Sequence, residues 1–565
     1  MRKLTTRTGA VNCVILLLGA LVVPVFSQTA AKTGPSDAKS EGTQAGDEVS
    51  GLKQQIASQQ KELEQLRSMM EELKQRLDQT FSSAKVAPAD SSNLSQVASL
   101  TPVAGMIPPV PAPAAPSLPP RAMNPEKKTD EESPLQFKIG SASITPVGFM
   151  DFTGVYRSHT GGSGIGTNFA SIPYGNTFQA NLSEFRLSMQ NSRIGFRVDA
   201  MVKGFKVLGY MESDFLGNNP GNVAVSSNSN TMRSRLYWVD VKKDKWEVLG
   251  GQTWSLLTPG RKGISPLPGD LFYTQNIDVN YQVGLFWGRI PELRFVYHPS
   301  DKTALAVALD SPEQYVGGSA GGGAVTFPAA LTATYPGGEL NNGGTTLNVP
   351  NVAPDVILKF AVDPTNKIHF EVGGLFREFK VWNPANGNHY SASGGGAFAN
   401  LDLELFKGFK VLTNNFWSDG GGRYIFGQAP DLIAQADGSP SLIHAHSTVS
   451  GIEYTKKNTM VYAYYGGVYV QKNTAIDANG KYVGYGFPGS PAGQNRSIQE
   501  PTFGFAQIFW KDPKYGALTL MGQYSWLVRN PWSVASGQPE DAHLHMVFFN
   551  LRYALPGSAP AMTTK

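Results

Sequence analysis

The sequence predicts an all-β protein: an antiparallel transmembrane β-barrel of about sixteen strands, preceded by a short coiled-coil helix and a Pro-rich linker. Three observations carry that prediction. Between residues 135 and 556, short turns alternate with long connections, and residues of alternating polarity flank the short turns. Past residue 27 there is no apolar run of about twenty residues, so the chain offers no membrane-spanning helix. With 61 Gly, 11% aromatic and only 16% charged residues, the composition suits Gly-rich loops and aromatic belts better than a helical enzyme.

Residues 1–27 read as a secretory signal peptide. Arg2, Lys3 and Arg7 form its positive end, Val11 to Val25 its apolar stretch, and Val25-Phe26-Ser27 a cleavage region. Pro24, Ser27 and the polar residues that follow leave the apolar stretch too short to span a membrane comfortably. The one cysteine, Cys13, lies inside this segment, so the exported chain is expected to stand without disulfides. A net charge of +4 on 565 residues is too weak to argue for nucleic acid as a partner.

Residues 28–48 are polar and expected to be disordered. The segment 49–81 carries a heptad seam, with Val49, Ile56, Leu63, Met70 and Leu77 at a, and Leu52, Gln59, Leu66 and Leu73 at d. A lone helix of this length is marginal in water, so the seam predicts self-association. It does not decide between two strands and three. The Pro/Ala-rich stretch 82–134 is an extended, semi-rigid spacer, and 557–565 is a tail.

Short turns fall at 203–206, 242–245, 299–302, 363–367, 407–410, 456–458 and 511–514, each built from Gly, Asn, Asp or Pro. Each joins a strand pair, a strand at Ile144–Tyr156 precedes them all, and one at Leu544–Tyr553 follows. The remaining connections are long, at roughly 158–180, 216–231, 255–291, 311–353, 383–396, 418–446, 471–500 and 528–542. An even strand number returns both ends of the barrel to the short-turn, periplasmic side. The phase slips between Met189 and Arg193, which predicts a bulge or bend. Ile368, Phe370, Val372 and Phe376 share one face, expected to meet lipid; His369, Glu371 and Arg377 share the other.

The candidate lining residues are the charges on inward-facing positions. Arg186, Arg193, Arg197, Arg233, Arg235 and Arg294 lie on early strands, and Arg261, Lys262, Asp270 and Asp278 on the connection 255–291. Facing charge in a narrow throat of low dielectric concentrates one sign of solute, and the fork of Arg suits planar carboxylates. A loop of this length is expected to be functional, here by folding inward to narrow the lumen. No enzyme is expected. His444/His446 and His543/His545 are the close histidine pairs, and neither has a clear third ligand, so no metal or other cofactor is expected. The glycine runs at 317–318, 321–323, 394–396 and 420–422 lack a P-loop Lys and read as outer-loop sequence.

The layout as a whole, with SRIGFRVDA at 192–200 and GGQTWSLLTP at 250–259 entering a long loop, resembles the DcaP-like trimeric porins of Gram-negative outer membranes. The resemblance implies a homotrimer in outer-membrane lipid, a periplasmic N-terminal arm, and passive uptake of small hydrophilic solutes, favouring anions such as dicarboxylates. The alternative is a tether: an outer-membrane anchor whose arm binds peptidoglycan or a periplasmic partner. Deleting 49–80 separates the two, since loss of cell-wall retention with unchanged solute flux favours the tether.

Overall fold

The computed structural model describes residues 133–161, 164–218, 230–267, 269, 271–276, 281–318, 323–340 and 353–556. The expected leader, the heptad segment, almost all of the Pro-rich spacer and the tail lie outside these residues, as do Asp270 and Asp278.

Sixteen antiparallel strands close into a barrel. In chain order they are β1 Ala142–Arg157, β2 in two pieces (Glu184–Ser188 and Arg193–Val202), β3 Phe205–Asp214, β4 Arg233–Lys243 and β5 Trp246–Trp254. Next come β6 Arg289–Ser300, β7 Thr303–Asp310, β8 Asp355–Thr365, β9 Ile368–Asn383, β10 Asn388–Phe406 and β11 Phe409–Asp419. The last are β12 His444–Lys456, β13 Thr459–Val470, β14 Asn495–Asp512, β15 Gly516–Pro531 and β16 Ala542–Ala554. Each strand pairs with the next, and β16 closes on β1 from Phe149↔Ala554 to Arg157↔Met546. Below that contact the short strand Phe137–Ile139 continues the lane of β16 by pairing with Ala142 to Ile144. Closure leaves no unpaired edge, the condition lipid imposes on a sheet.

The seven short connections are where the turn chemistry put them. At Lys203-Gly204 both residues have positive φ (50° and 85°), the primed turn whose twist matches the flanking strands. The break in β2 confirms the phase slip. Phe185 and Leu187 are exposed in the first piece, Ile194 and Phe196 in the second, so outward positions change from odd to even. Opposite the break, Gly148 (φ 134°) permits the approach of the Arg193 carbonyl, 2.2 Å from where a Cβ would stand.

Strand phase sorts the two faces as expected. On β9, Phe370, Val372 and Phe376 are exposed, whereas His369, Glu371 and Arg377 are at most 3% exposed. Outward aromatics gather near both strand ends, with Trp246, Phe406, Trp510 and Tyr515 by the short turns and Trp382, Trp417 and Trp526 toward the opposite ends. An apolar outward belt between aromatic girdles, over a polar interior, is the surface of a membrane-spanning barrel.

One connection is much shorter than the sequence suggested. Residues 384–387 alone join β9 to β10, and Gly394-Gly395-Gly396 is not loop but strand, paired with Arg377, Phe376 and Leu375. These glycines serve close packing. A Cβ on Gly396 would stand 2.7 Å from both the Phe416 ring and the Trp417 carbonyl, and one on Gly395 2.3 Å from the Leu375 carbonyl. Gly396→Val is therefore expected to overpack the wall by about 1–3 kcal/mol. The measurement is the temperature at which the barrel loses its compact gel mobility, and an unchanged temperature contradicts the account.

Candidate pore and its charged lining

The described residues of the connection between β5 and β6, 255–288, turn into the barrel and run along its inner wall. The Ser255 hydroxyl donates to Asp310 of β7 (2.6 Å), and the Leu256 N–H to Glu292 of β6 (3.1 Å). Lys359 of β8 donates to the Thr258 carbonyl (2.7 Å), and the Gly260 N–H donates to Glu371 of β9 (3.1 Å). Arg261 reaches Glu453 of β12 with both terminal nitrogens (2.8 and 2.5 Å), with Asp402 of β10 at 3.5 Å. Further on, the Gln275 N–H donates to Gln523 of β15 (2.8 Å) and the Val283 N–H to Glu500 of β14 (3.0 Å). The wall carboxylates met here are buried and need such donors, because a desolvated carboxylate without partners is costly. Rings add to the seat: Phe272 packs edge-on against Tyr464 of β13, 5.2 Å between centroids.

The loop leaves a cavity of about 270 Å³ against the early strands. Arg193, Arg261, Lys262, Arg294 and Lys359 line it, together with Glu371 as the only carboxylate among the described residues, and Trp254, Tyr281 and Trp287. Most of these cations are partnered. Arg294 pairs with Glu292 and donates to the Trp254 carbonyl (2.8 Å), and Lys359 stands 3.2 Å from Glu371. Lys262 is exposed and makes no ion pair among the described residues.

Beside the cavity, three guanidiniums share two carboxylates. Arg193 and Arg235 approach Glu212 (3.4 and 3.0 Å), while Arg235 and Arg233 approach Asp214 (2.6 and 2.7 Å). Arg235 is fully buried and lies 5.5 Å from the Trp254 ring centroid. It holds the wall together as much as it colours the field, so charge reversal there tests folding before it tests permeation. Arg197 grips Asp199 with two bonds of 2.8 Å on the same strand, and Arg186 pairs with Glu184 (3.0 Å), which also holds the buried Arg157. Neither Arg197 nor Arg186 lines the cavity. Of the candidate lining residues, then, the cavity gathers Arg193, Arg261, Lys262 and Arg294, with Arg233 and Arg235 adjoining.

Sequence reasoning missed Arg289, Lys359, Glu371 and Glu453 as parts of this region. Glu371 was already placed on the inward face. Nothing in the chain signals that Lys359 and Glu453 would meet residues about a hundred and about two hundred positions away, since strand order around a closed wall sets that. Both histidine pairs lie on the outward face near the loop end, where His446 stacks on Trp417 (5.2 Å) and His545 on Trp526 (6.3 Å) as members of the girdle.

The loop-side ends are fastened by a second network. Arg377 of β9 binds Asp355 (3.1 Å) and Asp431 (2.8 Å), and Tyr424 donates to Asp355 (2.9 Å) and Asp310 (3.2 Å). Burial pushes the Asp431 carboxyl up, while Arg377 and the N–H groups of Arg423 and Tyr315 pull it down. This clamp draws loop 420–443 in over the lumen.

No family model matches the chain, and no curated protein matches it. Among solved structures, the outer membrane channel DcaP of Acinetobacter baumannii is similar at 16% identity, over 74% of this chain and 99% of that one, with a TM-score of 0.53. OprB of Pseudomonas putida is similar at 10% identity, over 72% and 94%, with a TM-score of 0.41. OmpT of Vibrio cholerae gives 10%, 74% and 99%, with a TM-score of 0.40. The expected resemblance therefore stands at the level of architecture: this chain has a DcaP-like porin fold.

Proposed function

We propose that this barrel is an outer-membrane porin of a Gram-negative cell, passing small hydrophilic solutes by passive diffusion. It favours anions such as dicarboxylates, loop 255–288 is its constriction, and its N-terminal arm lies in the periplasm and joins three copies. The observation that carries the reading is the charge of the lumen beside the loop. Arg193, Arg261, Lys262, Arg294 and Lys359 face a cavity in which Glu371 is the only described carboxylate. Partnering cancels much of that charge, so the surplus rests on Lys262 and on the guanidinium cluster around Glu212 and Asp214. In a throat walled by low-dielectric material, even one surplus charge is felt strongly by a passing ion.

The test is reconstitution in a planar bilayer. Stepwise ohmic currents in groups of three are expected, with a reversal potential in a salt gradient that favours anions. Lys262→Glu is expected to move that potential toward cations. A folded barrel that carries no current sinks the porin reading, and a native reversal potential favouring cations sinks the selectivity.

A further inference from the structure

Trp287 lines two cavities. One is the space beside loop 255–288 described above; the other, of about 230 Å³, lies at the loop-side ends of β6 and β7. The second is lined by Arg289, Glu313, Tyr315, Arg423 and Phe426, among others. Arg423 is already engaged by Asp355 (3.3 Å) and Glu313 (3.9 Å). Arg289 is not. It makes no ion pair among the described residues, and its Nη1 is buried with no hydrogen-bond partner. Its guanidinium lies 5.8 Å from the Trp254 ring centroid, on the same indole that Arg235 approaches. A buried guanidinium donor without an acceptor is a costly state, and a carboxylate is the ligand whose geometry relieves it.

Trp287, common to both cavities, sits in a cluster of rings, with Trp254 and Tyr281 on the first cavity and Phe426 on the second. Trp287 lies 4.9 Å from Phe426 and 4.9 Å from Tyr281, and 5.4 Å from Trp254, while Phe426 lies 5.5 Å from Tyr281. Phe426 reaches this stack from the clamped loop 420–443 with φ at 40°, in the left-handed region that bulky residues rarely occupy. Gly427 beside it is also left-handed, at 65°. The main chain on either side is tied, Gln428 N–H to the Ile425 carbonyl (3.0 Å) and the Tyr315 hydroxyl to the Gly427 carbonyl (3.2 Å), so what is free to swing is the strained Phe426 ring itself, next to a glycine.

We propose that the cavity at Arg289 is a second anion station, for small carboxylates, on the loop side of an aromatic shutter whose moving leaf is Phe426. A carboxylate entering from the loop end docks on Arg289. Swinging Phe426 off Trp287 and Tyr281 then joins the two cavities and lets the solute pass to the Lys262 side. The inference rests on the porin reading and adds a site and a gate to it.

The full mature chain in planar bilayers tests both parts, with succinate as the probe. The shutter predicts brief closures in the native channel; Phe426→Gly removes the leaf and relieves its backbone, so the current of each unit is expected at least to double and those closures to vanish. Where that variant does not fold, Phe426→Asn, which tolerates positive φ, takes its place. Arg289→Gln is expected to weaken block of the chloride current by loop-side succinate about tenfold, the loss of one charge-assisted pair. Native current and closures in a folded Phe426 variant overturn the shutter, and native succinate block in Arg289→Gln overturns the station. Absence of current from the native chain is a different failure, that of the porin reading itself.

Discussion

Gly466→Leu barrels are expected to pass several times more current per unit than native ones. The reason is how loop and wall meet. A Cβ on Gly466 of β13 would stand 1.9 Å from the Val283 carbonyl of the loop, and one on Gly284 of the loop 2.2 Å from the Thr448 carbonyl of the wall. Main chain lies directly on main chain there, which only glycine allows. A leucine at 466 must expel residues 282–285 from the wall, and with them the N–H of Val283 that Glu500 accepts. The strand itself loses little, since Gly466 keeps its ladder partners Val449 and Glu500. Gly467→Ala is the control: its Cβ meets nothing nearer than 3.6 Å, so conductance should stay native. Equal currents from Gly466→Leu and native barrels would show that the loop does not limit flow.

Arg261→Ala is expected to destabilise the barrel by about 3–5 kcal/mol, because it strands a buried carboxylate. Glu453 is 4% exposed at its side chain, and beyond the two bonds from Arg261 it is left with the Tyr464 hydroxyl (2.7 Å). The guanidinium also lies 5.6 Å from the Tyr273 ring centroid, so the substitution removes a ring contact as well. The reading is twofold: a lower unfolding temperature and new protease cleavage within 255–288. Arg261→Met combined with Glu453→Leu should recover most of the loss, because an apolar pair of similar volume leaves no charge without a partner. If the single variant stays within about 0.5 kcal/mol of native, Arg261 is an ordinary surface cation and not the anchor of the loop.

Much of this architecture was legible beforehand, for local reasons. Lys203-Gly204 could only turn, and the shift of outward residues from Phe185 and Leu187 to Ile194 and Phe196 announced the break in β2. The glycines at 394–396 misled, because loop and strand glycines look alike until a partner is known. In this barrel Phe416 and the carbonyls of Leu375 and Trp417 occupy the space that side chains would need. Their purpose lies in neighbouring strands.

The site was less legible than the fold. Arginines on inward positions could be found by parity alone, yet parity does not tell a lining charge from a wall tie. Arg235 and Arg294 proved to be bound to their own wall, while Arg289, at the rim of a strand, makes no ion pair among the described residues. By itself, then, the sequence determined the strands, their short turns, the polarity of each face and the place of the long loop, since all depend on residues within about ten positions of one another. The tertiary structure alone decided that the loop turns inward, which charges cancel, and that Trp287 borders two cavities. Those outcomes depend on carboxylates and rings that closure brings from far along the chain, and no local pattern encodes a partner a hundred or more residues away.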